Sequence, residues 1–312
     1  MSEPEVVVLC GGISDERDVS LVSGQAVYTA LQGSFSARLQ VLDAPALAAG
    51  LDASRCVIFP ALHGEFGEDG QLQQLLEREG FAFAGSGAEA SALCIHKVMT
   101  KRRVAQRGVP VLEDVAFEAA KKPSAAEVVQ ALGTDLVLKP VNHGSSRGVV
   151  FTDGLDALET ALKATKQGDW LVEPRVRGRE LSVGVLQGKA LGVVEITPES
   201  GAYDYHHKYT AGATQYQAPA KLSDAQTLAV QQAAEAAFGA CGCRDFARAD
   251  FMLGDDDTLA FLEINTIPGL TPTSLLPRSA ACNGYAFTQL VRTMLAPALE
   301  RFTRREAVGH VV

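Results

Sequence analysis

Short apolar runs alternate with stretches of helical spacing over the first third of the chain. Residues 6–9 form a β-branched run that stops at Gly11-Gly12, and apolar positions then recur with helical spacing over 19–31. Residues 56–62 form a second run, ending at His63-Gly64 and Glu65-Phe-Gly-Glu-Asp-Gly70, before Leu72, Leu75 and Leu76 resume helical spacing up to Glu79. Repeated strand–loop–helix units predict a parallel sheet, with both loops beyond the carboxyl ends of its strands, where such sheets bind ligands. From about Ser91 a basic helix runs through Lys97, Lys101, Arg102 and Arg103 until Gly108-Val-Pro110 stops it.

The pattern then changes to strand (111–117), helix (124–132), strand (136–139), a glycine loop, strand (148–152), helix (155–165) and strand (170–173), a small α+β unit. Beyond Glu180, two strand-like runs meet near Gly188. A polar, tyrosine-rich stretch with weak periodicity follows over 198–219, then an alanine-rich helix over 224–238. Strands at 250–253 and 259–264 flank the turn Gly254-Asp-Asp-Asp257. The expected fold class is α/β, α+β in parts, in three units: 1–98 with a parallel sheet, 99–179, and 180–312. The stretch at about 198–219 is expected to be a lid, since a connector that long is usually functional, and its tyrosines and lysine suit closure over a substrate.

Composition narrows the function classes. The chain has 312 residues, 47% of them hydrophobic and 21% charged, which excludes disorder and allows more than one core. Twenty-eight basic against 37 acidic side chains give a net charge of −9, which repels polyanions and argues against a nucleic-acid or anionic-membrane binder. Six cysteines without CxxC spacing argue against a zinc ribbon or a secreted disulfide frame and favour a reducing cytosol. No signal-peptide pattern and no apolar run near the ~20 residues of a membrane span is present, so a cytoplasmic protein without membrane association is expected.

The most informative chemistry lies in Arg248, Asp250, Glu263 and Asn265. Residues two apart on a strand share a face, so each pair points one way, and pairing of the strands through the acidic turn makes the pairs neighbours. Three hard oxygen donors beside an arginine suit Mg²⁺ on nucleotide phosphates, although a solvated hairpin with ordinary surface charges fits the same pattern. Lys139 ends an apolar strand before Asn142-His-Gly-Ser-Ser-Arg-Gly148, a loop able to offer ammonium, hydroxyl and N–H groups to phosphate. Glu173 and Glu180 flank a Pro- and Gly-containing turn, where carboxylates can accept hydrogen bonds from a nucleoside. Walker A, GxGxxG and HExxH patterns are missing, which removes P-loop, dinucleotide and zinc-protease readings.

Taken in order, these loops resemble the D-alanine–D-alanine ligases of the ATP-grasp superfamily. The resemblance is carried by Gly11-Gly-Ile-Ser-Asp-Glu-Arg-Asp-Val-Ser-Leu21, His63-Gly-Glu-Phe-Gly-Glu-Asp-Gly70, Lys139-Pro with Gly144-Ser-Ser, Glu173 and Glu180, Tyr203-Asp-Tyr with Lys208-Tyr209, and Glu263-Ile-Asn-Thr-Ile-Pro-Gly269 with Ser274-Leu275. It implies a three-domain ATP-grasp architecture, a cytoplasmic homodimer, and ATP-dependent joining of two D-alanine molecules through an acylphosphate for peptidoglycan synthesis. Two Mg²⁺ ions, replaceable by Mn²⁺, are implied on Asp250, Glu263 and Asn265. The resemblance further implies Lys97, Lys139 and Lys208 on ATP phosphates, Glu173 and Val176 on the adenine, and Glu180 on the ribose. Arg248 and the Gly269 N–H match positions that steady the phosphoryl group and the tetrahedral oxyanion.

By the same resemblance Glu16 binds the first substrate's ammonium beside His63, and Ser274 and Leu275 meet the second substrate's carboxylate. Glu16, Ser145 and Tyr209 make a hydrogen-bond trio tying the lid to the N-terminal loops. Relatives that make a D-lactate ester lack the lid tyrosine, so Tyr209 favours amide formation. The alternatives are a D-lactate or D-serine ligase, or an ATP-binding regulator without turnover. His96, Arg147 and Leu270 depart from the usual family residues.

Overall fold

The computed structural model describes residues 3–144, 147–198 and 214–309. Its first sheet is parallel, in the order β2-β1-β3-β4, from β1 (Glu5–Gly11), β2 (Ala37–Leu42), β3 (Cys56–Pro60) and β4 (Ala82–Phe83). Val6, Val7, Val8 and Leu9 are fully buried because helices cover both faces, as parallel sheets require. Helix α1 (Arg17–Leu31) leaves β1 at a tight turn, where Ser20 Oγ accepts from the Gly11 N–H (2.9 Å) and donates to the Ala61 carbonyl (2.7 Å). Gly11 has φ +87°, and a β-carbon there would meet the Leu42 carbonyl at 2.8 Å, so only glycine fits this turn. Helix α2 (Gln71–Arg78) follows β3.

Where one basic helix was expected there are two, α3 (Ala88–Ile95) and α4 (Lys97–Ala105). They break at His96, whose extended backbone lets its side chain cap the Met99 N–H. The second sheet is antiparallel, ordered β5-β8-β6-β7: β5 (Val115–Glu118), β6 (Asp135–Pro140), β7 (Val150–Asp153) and β8 (Asp169–Pro174). Helices α5 (Ala125–Leu132), begun by a Ser124–Glu127 capping box, and α6 (Leu155–Ala164) close its core on Leu136, Leu138 and Val172. The strand expected over 111–117 shortens to β5. Upstream, Pro110 has no N–H to donate, and its carbonyl accepts from Phe261 instead.

The third sheet runs β11-β10-β9-β12-β13, antiparallel throughout: β9 (Gly178–Leu186), β10 (Lys189–Pro198), β11 (Thr214–Gln217), β12 (Phe246–Gly254) and β13 (Leu259–Asn265). Helix α7 (Asp224–Ala240) packs Ala234, Ala237 and Phe238 onto it. Part of the expected lid, residues 214–217, is strand β11, paired with the end of β10. Helix α8 (Leu275–Ala281) approaches so closely that a β-carbon on Gly184 would lie 2.5 Å from Leu276. Helix α9 (Phe287–Gly309) then returns to the first sheet, burying Leu290, Val291, Met294 and Leu295 with Val6, Val8 and Phe59 in one cluster. No described helix is long and apolar enough to cross a membrane.

Candidate active site

Between the second and third sheets lies a cavity of about 610 Å³. Seven of the residues singled out from the sequence line it: Lys97, Lys139, Glu173, Val176, Glu180, Asp250 and Glu263. Its apolar wall is Leu112, Val137, Phe151, Met252 and Leu262, and Arg175 lies over the Phe151 ring at 4.4 Å. An apolar wall beside charged groups suits a purine with a charged tail.

Glu173 is buried at the end of β8, between two ammonium groups. Lys101 pairs with one carboxylate oxygen and Lys139, from the neighbouring strand β6, with the other. Lys101 is itself fully buried and also pairs with Asp114 at 2.7 Å. Burial pushes the Glu173 carboxyl upward, but Lys139 and Lys101 outweigh it and hold the group below the usual carboxylate range.

The second cluster lies on β12 and β13, where Asp250 pairs with Glu263 and Arg248 with Asn265. Arg248 grips Asp250 through Nε (2.9 and 3.1 Å) and a terminal nitrogen (2.6 Å), both residues being buried. Ser182, opposite Asp250 on β9, donates to it at 2.6 Å. The Asn265 amide nitrogen stands 3.3 Å from Asp250 and 3.3 Å from Glu263. Lys97, at the start of α4, reaches Glu263 at 3.2 Å and donates to the His143 carbonyl at 2.6 Å, which brings the loop after β6 to this cluster.

The N-terminal loops meet the same region from the other side. Glu16 is buried at the head of α1, and its Oε2 would lie 3.1 Å from a β-carbon on Gly64 and 3.9 Å from one on Gly144. His63 is buried, with Nδ1 3.0 Å from the Ile267 carbonyl and Nε2 2.9 Å from Ser23 Oγ. Because a carbonyl only accepts, the proton sits on Nδ1, and Ser23 donates to Nε2 while accepting from the Leu270 N–H (3.3 Å). This chain fixes the loop that carries Gly269. Ser274 contacts Thr271 (Oγ1 2.8 Å, N 3.1 Å) and faces Gly269, where a β-carbon would come within 3.1 Å of its Oγ. Leu275 sends its side chain into the cluster of Val194 and Ile196, so what it can offer a ligand is its N–H in the first turn of α8. A further space of about 20 Å³ is lined by Glu68, Cys94, Lys97, Gly144, Glu263 and Asn265.

Ser145, Lys208 and Tyr209 lie outside the described residues. Arg147, the departure after the serine pair, forms an ion pair with Asp15 and lines the cavity. Sequence reading passed over Lys101, Ser182 and Ser23. Ser182 carried a signal, being two residues from Glu180 on one strand and therefore on the same face. Lys101 and Ser23 carried none, since their partners come from distant elements.

Residues 103–296 match the family model described as D-ala D-ala ligase C-terminus. The chain is 40% identical over 292 residues to the D-alanine–D-alanine ligase of Methylacidiphilum infernorum, covering 93% of this chain and 94% of that protein. With the ligase of Anaeromyxobacter dehalogenans strain 2CP-1 it shares 43% over 294 residues, covering 93% and 95%. A solved D-alanine–D-alanine ligase of Bacillus anthracis, complexed with ATP, aligns with TM-score 0.83 at 26% identity over 98% of this chain and 100% of that one. The VanG D-Ala:D-Ser ligase of Enterococcus faecalis aligns with TM-score 0.82 at 26% identity, over 95% and 100%.

Proposed function

The chain belongs to the D-alanine–D-alanine ligase family, and from that premise we propose how its residues divide the work of joining two D-alanine molecules at the expense of ATP. The enzyme is an ATP-dependent carboxylate–amine ligase of the ATP-grasp fold, acting in peptidoglycan synthesis. The two solved folds align almost equally well whether the second substrate is D-alanine or D-serine, so the fold does not choose between them. The kinship at 40–43% identity chooses D-alanine.

The observation that carries the assignment of roles is the convergence of Lys97, Lys139, Glu173, Glu180, Asp250 and Glu263 on one cavity. ATP lies there with its base against the apolar wall near Glu173 and the Val176 backbone, its ribose at Glu180, and its phosphates toward Lys97 and Lys139. The γ-phosphoryl group passes to the carboxylate of the first D-alanine, whose ammonium Glu16 holds beside His63. Arg248, locked by Asp250, presents fixed positive charge to the oxygens that gain charge during transfer. The second D-alanine, its carboxylate at Ser274 and the Leu275 N–H, attacks the acylphosphate through its amine. The Gly269 N–H stabilises the tetrahedral oxyanion until phosphate leaves and the peptide bond remains. Ser145, Lys208 and Tyr209, outside the described residues, complete the set by family resemblance, Lys208 toward the phosphates.

Mg²⁺ fits the donor set of Asp250, Glu263 and Asn265. Two carboxylates flank one amide, and the Asn265 side chain, now turned with its nitrogen toward them, presents a third hard oxygen on rotation. Two bound Mg²⁺ ions would neutralise charge on the β- and γ-phosphates. We further assign units 1–98, 99–179 and 180–312, a homodimer, and a reducing cytoplasmic setting, which six unbridged cysteines support. The test is product identification by mass spectrometry with ATP, Mg²⁺ and a panel of D-amino and D-hydroxy acids. ADP and D-alanyl-D-alanine are expected, whereas ester alone when D-alanine competes with D-lactate overturns the reading.

A further inference from the structure

Three of the six cysteines meet in the core beside the site. Cys94 is the penultimate residue of α3, and Cys241 and Cys243 flank Gly242 at the end of α7, where the chain turns toward β12. All three are buried, and the Cys94 and Cys243 sulfurs stand 3.7 Å apart. Cys94 lines the 20 Å³ space that it shares with Lys97, Glu263 and Asn265.

We propose that these cysteines form an oxidisable thiol site, in which a hydroperoxide bridges Cys94 to one of the two cysteines flanking Gly242 and thereby slows the ligase. Cys243, whose sulfur stands 3.7 Å from that of Cys94, is the partner that geometry places for the bridge, and the attacking thiolate comes from the turn that carries Cys241 and Cys243. In that turn the Cys94 thiol and the Arg103 charge hold Cys241 below the usual thiol range against burial, whereas its thiol neighbours and burial push Cys94 well above it, which supports attack from the turn rather than from Cys94. The thiolate attacks the peroxide O–O bond, forming S–O and releasing hydroxide, or alkoxide from an organic peroxide. The resulting sulfenic sulfur is attacked by Cys94, S–S forms, and water leaves. With hydrogen peroxide, two thiols and one peroxide give one disulfide and two waters, two electrons passing from sulfur to oxygen. Cys243, 3.7 Å from Cys94, can then exchange into the bridge.

The consequence for turnover follows from position. A disulfide needs its sulfurs at about 2.0 Å, so bridging draws α3 and the turn before β12 together inside a close-packed core. Lys97 lies three residues beyond Cys94, and Arg248 five beyond Cys243. The movement therefore falls on the Lys97–Glu263 and Arg248–Asp250 contacts from both sides.

The experiment treats the full chain with hydrogen peroxide, blocks remaining thiols, digests with trypsin and maps bridged peptides. Residues 79–97 and 222–244 form the two tryptic peptides, the first holding Cys94 and the second both Cys241 and Cys243. Expected are a bridge between them, slower bridging when ATP fills the cavity, and an at least tenfold fall in turnover that a dithiol reductant reverses. Cys94→Ser is expected to keep its turnover under peroxide, and Cys94→Ala serves if the serine variant fails to fold. Absence of the bridged pair overturns the site, and peroxide sensitivity that persists in the Cys94 variant overturns its link to turnover. The bridge is read by mass and stands or falls independently of the ligase assignment, on which only the turnover readout rests.

Discussion

Around Glu173 the counter-charges arrive from separate elements, Lys101 from α4 and Lys139 from β6, with Asp114 beyond Lys101. Around Asp250 they come from the strand itself and its direct neighbours: Arg248 two residues away, Ser182 opposite on β9, and Asn265 and Glu263 on β13. Each set balances two basic against two acidic side chains, Lys101 and Lys139 against Glu173 and Asp114, and Arg248 and Lys97 against Asp250 and Glu263. The first holds three elements together and lines the cavity through Glu173 and Lys139. The second rests on a sheet that is already paired, so its charges are available to a ligand. The same kind of ion pair is therefore mainly a fastening behind the nucleotide in one place and a reaction surface in the other.

The largest expected effect tests the fastening. Lys101→Met leaves Glu173 with one ammonium and Asp114 with none from this helix. Removing one partner of a buried pair costs about 3–5 kcal/mol. Thermal or urea unfolding should show that loss, and a Tm within two or three degrees of the parent would place Lys101 among ordinary surface lysines. Glu263→Gln is expected to do the reverse: turnover lower by about 10²–10³-fold, the scale of losing one preorganised electrostatic group, with little change in Tm. Equal losses of stability in both variants would erase the distinction between the clusters.

This difference also explains how much was legible in the sequence. Arg248, Asp250, Glu263 and Asn265 could be read together because strand alternation and a short acidic turn determine which side chains meet, and the observed register pairs them as that reading requires. The parallel first sheet was legible for the same reason, its strand–loop–helix units being local. Lys101 looked like one charge among several on a basic helix, since its burial depends on Glu173, 72 residues away. Helix α9 went unread although its apolar positions 290, 291, 294, 295, 298 and 302 keep helical spacing, and the surface it covers belongs to the opposite end of the chain. Residues 111–114 looked like the start of a strand over 111–117, but the Pro110 carbonyl just before them accepts from β13 and the sheet begins only at Val115.

A smaller effect sharpens the comparison from within the second cluster. Ser182→Ala removes a 2.6 Å hydrogen bond to a buried carboxylate, and bonds to charged groups are worth about 1.5–3 kcal/mol. Because Asp250 locks Arg248, kcat should fall more than KM rises. A change in KM alone would mean that Ser182 supports substrate binding rather than the orientation of Arg248.

The pH dependence separates the clusters by a different property. The Glu173 carboxyl is held below its ordinary value of 4.5, so unfolded chains bind this proton more readily than folded ones. Its stabilisation is therefore complete above about pH 4.5 and is lost as pH falls through the lower folded value. Lys101→Met removes part of the cause and should make the acid limb of the stability profile shallower. An acid limb as steep in the variant as in the parent would assign acid sensitivity to other carboxylates.

The smallest effect concerns Arg147, which joins neither cluster but links the loop after β6 to the N-terminal loop through Asp15. Asp15 is 81% exposed, so water and salt screen the pair, and such pairs contribute about 0–1 kcal/mol. Arg147→Ala should leave Tm nearly unchanged. Yet the same guanidinium lines the cavity beside Lys139 and His143, where an added positive charge raises the local concentration of a polyanion. The variant should then raise KM for ATP several-fold at low ionic strength while kcat stays near that of the parent, and the difference should shrink at high salt. If KM for ATP is equally insensitive to the substitution at both salt concentrations, the guanidinium serves only Asp15, and the phosphate end of the cavity relies on the lysines of the two clusters alone.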